Sequence, residues 1–372
     1  MKLSVSRDAF LARLGVAARG VSTRSSIQTL SGVLIREADG GGIELQATDM
    51  EIGVRVKVDA EVENAANPVV LPGRLLLDVV RSLPNDDLGI EYRSQTQDVE
   101  IVSGTARFHL RTLPTEDFPN LPTAGDAPSV KVPAPAFIET VNRVGRAASR
   151  DEARPHLTGV LVSAGGTELR MVATDSYRLA VKETKLDAAL EGEPLEANVP
   201  VRALQELTRI AAADGVEELE ITPLENQVIF RAGDVVLSSR LIEGRFPNYK
   251  QLLPETYEHE LRLSRAELLD VVKRISLMAQ KNAPLRMKFE EGALEVSAET
   301  PDIGEARESL PAPFKGETLE IGFNPEFLTD GLDSAESDEL IFKLISPHRP
   351  GLIQSGDDGG FIYLVMPVRL NV

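Results

Sequence analysis

Residues 7–20, RDAFLARLGVAARG, are the first of three stretches that have the residue pattern of an amphipathic helix following a short strand. The other two are PAFIETVNRVGRAASR at residues 135–150 and SRAELLDVVKRISLMAQK at residues 264–281. Their starts lie 128 and 129 residues apart in a chain of 372 residues. Such regular spacing predicts three copies of one structural unit.

Each copy continues in the same order. A second helical stretch follows, as GRLLLDVVRSLP from residue 73, PVRALQELTRIAAA from residue 200 and NPEFLTDGLDS from residue 324. Between the helices, residues 52–58 alternate apolar and polar side chains, which predicts a half-buried strand. Gly40 and Gly165-Gly166 have the composition of hairpin turns. The sequence therefore predicts an α+β protein of three repeated domains, each with two helices and antiparallel sheets.

The boundaries of the repeats fall in proline-containing polar stretches near residues 127 and 256. We therefore expect domains at residues 1–127, 128–256 and 257–372. A repeat of this kind specifies an architecture and leaves the activity open.

Charge is distributed unevenly along the chain. The net charge is -18, yet the six helical stretches together carry +5, which leaves -23 on the strands and loops. Only the last helical stretch is acidic, with a net charge of -3. If the helices share one side of an assembly, that side is basic, and a basic surface binds DNA phosphates without reading sequence.

Helical spacing selects the arginines for such a surface. Arg143, Arg146 and Arg150 share the stripe opposite the apolar one, and two pairs spaced seven residues apart each share a face. These pairs are Arg74 with Arg81 and Arg202 with Arg209.

Composition and motifs argue against most other functions. The chain has no cysteine, and its four histidines are too far apart in sequence to predict a metal site. It lacks the phosphate-loop, zinc-protease and serine-hydrolase motifs. Asp175 is a candidate acid–base group without a clear partner, and Asp86-Asp87 and Asp357-Asp358 have the context of solvated turns. With no signal peptide and no long apolar run, we expect a cytoplasmic protein with no membrane association, no cofactor and no metal.

Five motifs in order resemble the bacterial β sliding clamp family along essentially the whole chain. They are the opening MKLSVSRDAF, LPTEDFPNLP from residue 113, ATDSYRLAV from residue 173, EGRFPNYKQLLP from residue 243 and VMPVRL from residue 365. The resemblance implies a head-to-tail homodimer: a six-domain ring whose helices line a hole for double-stranded DNA. It also implies a non-catalytic tether for the replicative polymerase subunit, the clamp loader and other proteins with a clamp-binding motif.

The resemblance assigns residues as well. It adds Arg24 to the arginines that face DNA, and it places Phe108, Leu110, Leu277 and Met278 at the dimer interface, the first two on an exposed strand edge. It implies a pocket for short peptides with leucine and phenylalanine anchors, where Arg178 and Arg369 bond backbone carbonyls or an acidic ligand residue. The pocket residues are Leu157, Thr174, Ser176, Tyr177, Arg178, Leu179, Pro247, Leu252, Leu364, Val365, Met366, Pro367, Val368 and Arg369.

The chain departs from the family pattern at a few positions that bear on ligand preference. Ser176 and Tyr177 stand where the better-known clamps carry glycine and histidine, and Gln251 stands where they carry arginine. Asn371-Val372 extend the usual end of the chain. Two other hypotheses compete with the interpretation as a DNA clamp. One is an acidic repeat scaffold that binds only proteins, and the other is a hydrolase that uses Asp175.

Overall fold

The protein is described from a computed structural model, which covers residues 1–64, 67–84, 87–279, 283–301, 303–356 and 360–370. Within these residues each third of the chain contains two α-helices, and its strands pair in antiparallel fashion. The predicted α+β class is therefore confirmed. Some residues named in the sequence analysis lie outside the described residues: Asp86, Lys281, Asp357-Asp358 and Asn371-Val372.

The elements follow one another in a similar order in each third. The first third contains β1 Lys2–Ser6, α1 Arg7–Ala17, β2 Gly32–Glu37, β3 Ile43–Thr48, β4 Ile52–Val58, β5 Glu61–Asn64, β6 Val69–Pro72, α2 Gly73–Ser82, β7 Asp87–Arg93, β8 Asp98–Ser103 and β9 Ala106–Arg111. The middle third contains β10 Val130–Pro133, α3 Ala134–Val144, β11 Gly159–Gly165, β12 Glu168–Thr174, β13 Arg178–Lys185, β14 Leu195–Pro200, α4 Val201–Ala213, β15 Glu218–Pro223, β16 Gln227–Ala232 and β17 Val235–Arg240. The last third contains β18 His259–Ser264, α5 Arg265–Ser276, β19 Leu285–Glu290, β20 Ala293–Thr300, β21 Gly304–Pro311, β22 Leu319–Phe323, α6 Pro325–Ala335, β23 Glu339–Leu344, β24 Gly351–Ser355, β25 Phe361–Val365 and β26 Pro367–Val368.

The chain divides into two compact units, Met1–Ala134 with Glu206–Leu241, and Pro135–Gln205 with Ile242–Val372. The first unit contains a five-stranded sheet, β5-β1-β7-β8-β9, and an eight-stranded sheet, β10-β15-β16-β17-β4-β3-β2-β6. The second contains an eight-stranded sheet, β14-β11-β12-β13-β25-β24-β23-β18, and a five-stranded sheet, β21-β20-β19-β22-β26. Each eight-stranded sheet joins strands from adjacent thirds, so the units divide the chain differently from the predicted boundaries at residues 127 and 256. Those boundaries stay a prediction.

Local sequence explains where the helices start and which face they bury. In α1, Phe10, Leu14 and Ala17 are spaced four and three residues apart and are fully buried. At the start of α6, the Oδ1 atom of Asn324 accepts hydrogen bonds from two backbone N–H groups, at 2.9 and 3.2 Å, which satisfies donors that the helix itself leaves unpaired. The three glycines at residues 40–42 have φ between 73° and 102° and form the predicted turn between β2 and β3.

One helix ends earlier than its sequence predicts. α3 stops at Val144 and continues as a single 3₁₀ turn over Gly145–Ala147. The prediction that Arg143, Arg146 and Arg150 share one helical stripe is therefore wrong, because Arg146 lies in the 3₁₀ turn and Arg150 lies beyond it. The change from 3.6 to three residues per turn breaks the periodicity on which the stripe depends.

Helix α6 lies directly on strand β25. A Cβ atom on Gly331 would come 2.5 Å from Cδ1 of Tyr363, closer than any ordinary carbon contact. The Tyr363 hydroxyl also donates a hydrogen bond of 2.8 Å to the carbonyl of Phe327. The helix is thus fixed to the sheet by close packing and by a part-buried hydrogen bond.

We expect Gly331→Ala to lower the free energy of unfolding by about 1–3 kcal/mol, the usual cost of overpacking a buried contact. The matched control is Gly15→Ala in α1, where a Cβ atom would meet nothing within 4 Å. That change should raise stability by about 0.5–1 kcal/mol, because alanine loses less conformational entropy in a helix. Urea unfolding followed by circular dichroism measures both, and a Gly331→Ala protein as stable as the wild type would contradict this packing.

Candidate functional site

The turn between β12 and β13 is pinned by its own side chains. Thr174 Oγ1 donates to the carbonyl of Arg178 at 2.7 Å and accepts the Ser176 N–H at 3.2 Å. Asp175 Oδ1 accepts the N–H groups of Tyr177 and Arg178 at 2.9 and 3.0 Å. Ser176 adopts a φ of 81°, in the left-handed region that favours glycine, where the resemblance leads one to expect glycine. These bonds fix the start of β13 and the direction of Arg178.

The first unit repeats this turn between β3 and β4. Thr48 Oγ1 donates to the carbonyl of Ile52 at 2.8 Å, and Met50 has a φ of 77°. The Arg240 N–H donates to the carbonyl of Glu51 at 3.0 Å. The Ala-Thr-Asp sequence that recurs in the first two repeats therefore encodes a turn structure, and its recurrence alone does not mark a binding site.

In the second unit the end of the chain runs beside this turn. β13 pairs with β25 so that Arg178 lies opposite Val365 and Leu179 opposite Leu364. The Met366 N–H donates to the carbonyl of Tyr177 at 2.8 Å. The sheet thus brings together two motifs that lie far apart in sequence.

A cleft of about 690 Å³ opens beside the two motifs. Seven of the residues predicted for the peptide pocket line it: Thr174, Ser176, Arg178, Leu179, Leu252, Leu364 and Met366. Its floor belongs to a buried apolar cluster that includes Leu179, Leu364 and Tyr249. At the rim, Leu252 and Met366 are 49% and 40% exposed, so two large apolar side chains remain open to a ligand.

The other predicted pocket residues lie elsewhere. Leu157 and Val365 are buried, Pro247 is half-buried, and Pro367 and Val368 form β26, which pairs with β22. The exposed Tyr177 ring stacks on Phe327 with 6.5 Å between ring centroids. Arg369 lines two other cavities, of about 760 and 270 Å³. None of these lines the 690 Å³ cleft, and ligand contact stays a prediction for every residue of the set.

Arg178 is already bound within the protein. Its Nε donates to Asp175 Oδ2 at 3.1 Å, its Nη1 donates to Asp330 Oδ2 at 2.5 Å, and its guanidinium lies 4.4 Å from the centre of the Phe327 ring. Burial alone would lower the pKa of Arg178, but its contacts with Tyr363, Asp330 and Asp175 outweigh burial and raise it. Arg178 therefore stays charged and acts first as a fixed wall of the cleft, since two of its donor atoms are bound to carboxylates.

Sequence reasoning missed part of the cleft. The cleft is also lined by Lys250, Leu253 and Pro254, which belong to the predicted loop motif, and by Glu255, which directly follows it. Residues Tyr249–Leu252 of this segment form a 3₁₀ turn. The segment His348–Pro350, in the turn between β23 and β24, also lines the cleft. No repeat or periodicity marks that turn in the sequence, so only the fold reveals it.

The predicted DNA-facing arginines differ in their surroundings. Seven of the eight are exposed: Arg24, Arg74, Arg81, Arg146, Arg150, Arg202 and Arg209. Arg81 and Arg209 form surface ion pairs with Asp78 and Glu206, at 3.7 and 2.6 Å, and such pairs contribute little to stability.

Arg143 differs from the prediction of an open basic face. Its side chain is only 12% exposed and pairs with Glu139 at 2.8 Å and Glu336 at 3.0 Å. It also donates a hydrogen bond to the carbonyl of Ala335. Arg143 fastens α3 to the end of α6 and presents little of its charge to solvent.

The residues predicted at the dimer interface also differ in their exposure to solvent. β9 is an edge strand, as expected, and Phe108 on it is 37% exposed. Leu110, also on this edge strand, is 4% exposed and packs within its own sheet, so its place at the interface stays a prediction. Leu277 is 84% exposed directly after α5, while Met278 is half-buried and its carbonyl accepts a hydrogen bond from Thr300.

Asp175 has a structural role that accounts for its charge. Its carboxylate accepts two backbone N–H groups and the Nε of Arg178. Across the described ranges, no group of three or more histidine, cysteine, aspartate or glutamate side chains is placed to hold a metal ion. Among the helices of these ranges, none is both long enough and apolar enough to cross a membrane. Because the Asp175 carboxylate is bound within its own turn, the hydrolase hypothesis loses its only candidate residue.

Comparisons with known proteins identify the class. Three domain families of the DNA polymerase III beta subunit match in order: the N-terminal domain at residues 1–122, the central domain at 131–248 and the C-terminal domain at 250–369. The chain is 33% identical over 380 residues to the beta sliding clamp of Streptomyces coelicolor and 32% identical over 378 residues to that of Synechococcus elongatus, with 100% of each chain covered.

Solved structures agree with the sequence matches. The DNA polymerase sliding clamp of Bacillus subtilis aligns with a TM-score of 0.92 at 29% identity, and the DNA polymerase III subunit beta of Pseudomonas aeruginosa with 0.90 at 29% identity. Both alignments cover 100% of each chain. The chain belongs to the DNA polymerase III beta subunit family, the bacterial β sliding clamps.

Replacing an exposed apolar side chain at the cleft should weaken peptide binding. We expect Met366→Ala to weaken the affinity for a fluorescent peptide copied from the tail of the cognate polymerase by about five- to tenfold, since about 1 kcal/mol of apolar contact is lost. Met50→Ala is the matched control, because Met50 lies in the equivalent turn of the first unit and is 46% exposed. Fluorescence anisotropy titrations measure both, and equal affinities in the two variants would contradict the assignment of this cleft.

Proposed function

We propose that two copies of this protein close into a ring around duplex DNA and tether the replicative polymerase for processive synthesis. The observation that carries this proposal is the ordered match of all three beta-subunit domains over the whole chain. The protein then works by topology and by binding, without a catalytic step. A replication clamp works on the chromosome, so its proposed location is the bacterial cytoplasm.

The charge distribution supports a sequence-independent grip on DNA. Seven of the eight predicted arginines are exposed, and they lie on or beside the helices in a chain whose net charge is -18. Arginines on a helical face bind phosphates and release counterions, so they add affinity without base recognition. The acidic strands and loops repel DNA, which disfavours adhesion outside the hole.

Two strand edges support closure of the ring. β9 is an edge of the five-stranded sheet in the first unit, and β21 is an edge of the five-stranded sheet in the second. An edge strand presents unpaired N–H and C=O groups that favour pairing with another chain. We propose a head-to-tail interface in which the β9 edge with Phe108 meets the β21 side, where Leu277 and Ile303 are 84% and 54% exposed. Two copies close such a heterologous interface into a ring.

The cleft supports binding of short peptides from partner proteins. Its apolar floor and its exposed Leu252 and Met366 suit a ligand with one leucine and one phenylalanine anchor, and methionine adapts to several ligands. Burial of roughly 100–200 Å² at about 25 cal/mol/Å² gives roughly 2.5–5 kcal/mol before ordering costs. We therefore propose the polymerase, the clamp loader and other proteins with such a motif as partners, each with an affinity near micromolar for a single motif.

Reversing charge on the helical side should weaken retention on DNA. We expect Arg146→Glu with Arg150→Glu to shorten the residence of the loaded clamp on nicked circular DNA, and the effect should shrink as salt screens the phosphates. The matched control, Arg231→Glu with Arg262→Glu, makes the same charge change on exposed strand residues. Residence is measured by gel filtration of labelled clamp on DNA at several salt concentrations. Equal residence for both double variants would contradict the proposed DNA side.

Charge at the proposed interface should separate the ring into monomers. We expect Leu277→Glu to give a folded protein of about 40.4 kDa, while the wild type elutes near twice that mass. A buried charge at an apolar interface is costly, whereas the same charge on an exposed monomer surface is not. Light scattering gives the mass and circular dichroism gives the fold. A folded dimer in the variant would contradict the interface, and Leu75→Glu, at a residue 52% exposed on α2, controls for surface charge.

A further inference from the structure

Helix α6 is the one acidic helical stretch in the sequence, and its carboxylates bind the basic residues of neighbouring elements. Asp330 Oδ2 accepts Nη1 of Arg178 at 2.5 Å, and Asp330 Oδ1 accepts Nη1 of Arg146 at 3.3 Å. One carboxylate therefore joins a wall of the peptide cleft to an arginine of the proposed DNA-facing set.

Further ion pairs extend these contacts into a row of charged side chains in the order Arg178, Asp330, Arg146, Asp333 and Lys273. Arg146 Nη1 also lies 3.2 Å from Asp333 Oδ2, and Asp333 Oδ1 lies 3.2 Å from Nζ of Lys273 on α5. The row begins at a side chain that is 5% exposed, Arg178, and ends at side chains that are 50% exposed, Arg146 and Lys273. Charge at the exposed end can thus influence the buried end through contacts of ordinary salt-bridge length.

We propose that Asp330 is a positioning residue that couples contact with DNA at Arg146 to the affinity of the cleft for its peptide ligand. This inference rests on the function proposed above. When a phosphate binds Arg146, Asp330 shares its charge with one guanidinium instead of two. The Arg178 guanidinium then experiences less repulsion from Arg146, whose charge the phosphate neutralises, so its pairing with Asp330 becomes more favourable.

The sign of the coupling follows from how Arg178 is held. α6 is fixed to β25 by the close approach of Gly331 to Tyr363 and by the hydrogen bond from Tyr363 to Phe327. Asp330 therefore stays in place, and the added attraction restrains the Arg178 side chain in the cleft wall. A restrained wall costs less conformational entropy when a peptide binds, so DNA contact should tighten peptide binding. By linkage, the peptide must tighten the contact with DNA by the same factor.

The test uses the full-length dimer, a labelled peptide copied from the cognate polymerase tail and a short duplex DNA at low ionic strength. We expect the wild type to bind the peptide about threefold more tightly with duplex present. Arg146→Gln should reproduce this gain without DNA and remove the further effect of duplex. Arg262→Gln is the matched control, because Arg262 is an exposed arginine on β18, outside the row and outside the proposed DNA-facing set. It should bind the peptide like the wild type and keep the response to duplex.

Asp330→Asn completes the experiment. It should make peptide affinity independent of the substitution at Arg146, which a merely structural role for Asp330 would not do. If wild-type affinity is the same with and without duplex, or if Arg146→Gln leaves it unchanged or weakens it, the coupling is wrong. Peptide binding and DNA retention by the wild type are measured in the same series. Their presence without coupling overturns this inference alone, and their absence overturns the proposed function.

Discussion

The antiparallel pairing of β13 with β25 is the interaction on which the second unit depends. It places Leu179 opposite Leu364 and makes one continuous sheet from strands of the middle and last thirds of the chain. Because buried apolar side chains such as Leu179 and Leu364 specify the register, the ATDSYR turn is held beside the VMPVRL segment. The cleft floor, the Met366 rim and the position of Arg178 against α6 all follow from that register. A cleft made from residues far apart in sequence thus acquires the rigidity of a sheet.

Electrostatics impose a second constraint, since a sliding protein has to hold DNA without arresting it. Exposed arginines supply attraction, but several of them are paired with carboxylates: Arg146 with Asp330 and Asp333, and Arg209 with Glu206. Pairing lowers the net attraction for phosphates. The acidic α6 is part of this balance, because its side chains neutralise arginine and lysine residues on neighbouring elements and hold the cleft wall in place. The ion pairs that hold the cleft wall therefore also include exposed arginine and lysine residues of the second unit.

The repeat, the α+β class and the hairpin turns could be predicted from the sequence, because each rests on local periodicity or on glycine conformation. The family could be predicted because five motifs occur in order. The sequence could not reveal that α3 ends at Val144, since its apolar residues keep helical spacing as far as Ala148. It could not show that Leu110 is buried while Phe108, on the same face of β9, is 37% exposed, because that depends on which tertiary contacts cover that face. The ion pairs of Arg178 with Asp330, and the part of the cleft formed by His348–Pro350, depend on tertiary contacts between segments without a shared motif. Local signals therefore predict elements and family, and the charge network requires the fold.

Topological retention on DNA tests the central claim most directly. Labelled protein is loaded by the cognate clamp loader onto a nicked plasmid, the plasmid is then cut once with a restriction enzyme, and the fraction still bound is followed by gel filtration. A ring around duplex DNA should stay on the closed circle and leave within minutes once the DNA has ends, because its phosphate contacts alone are weak and salt-sensitive. Equal retention on the circle and on the linear DNA, or failure to load on either, would contradict the account.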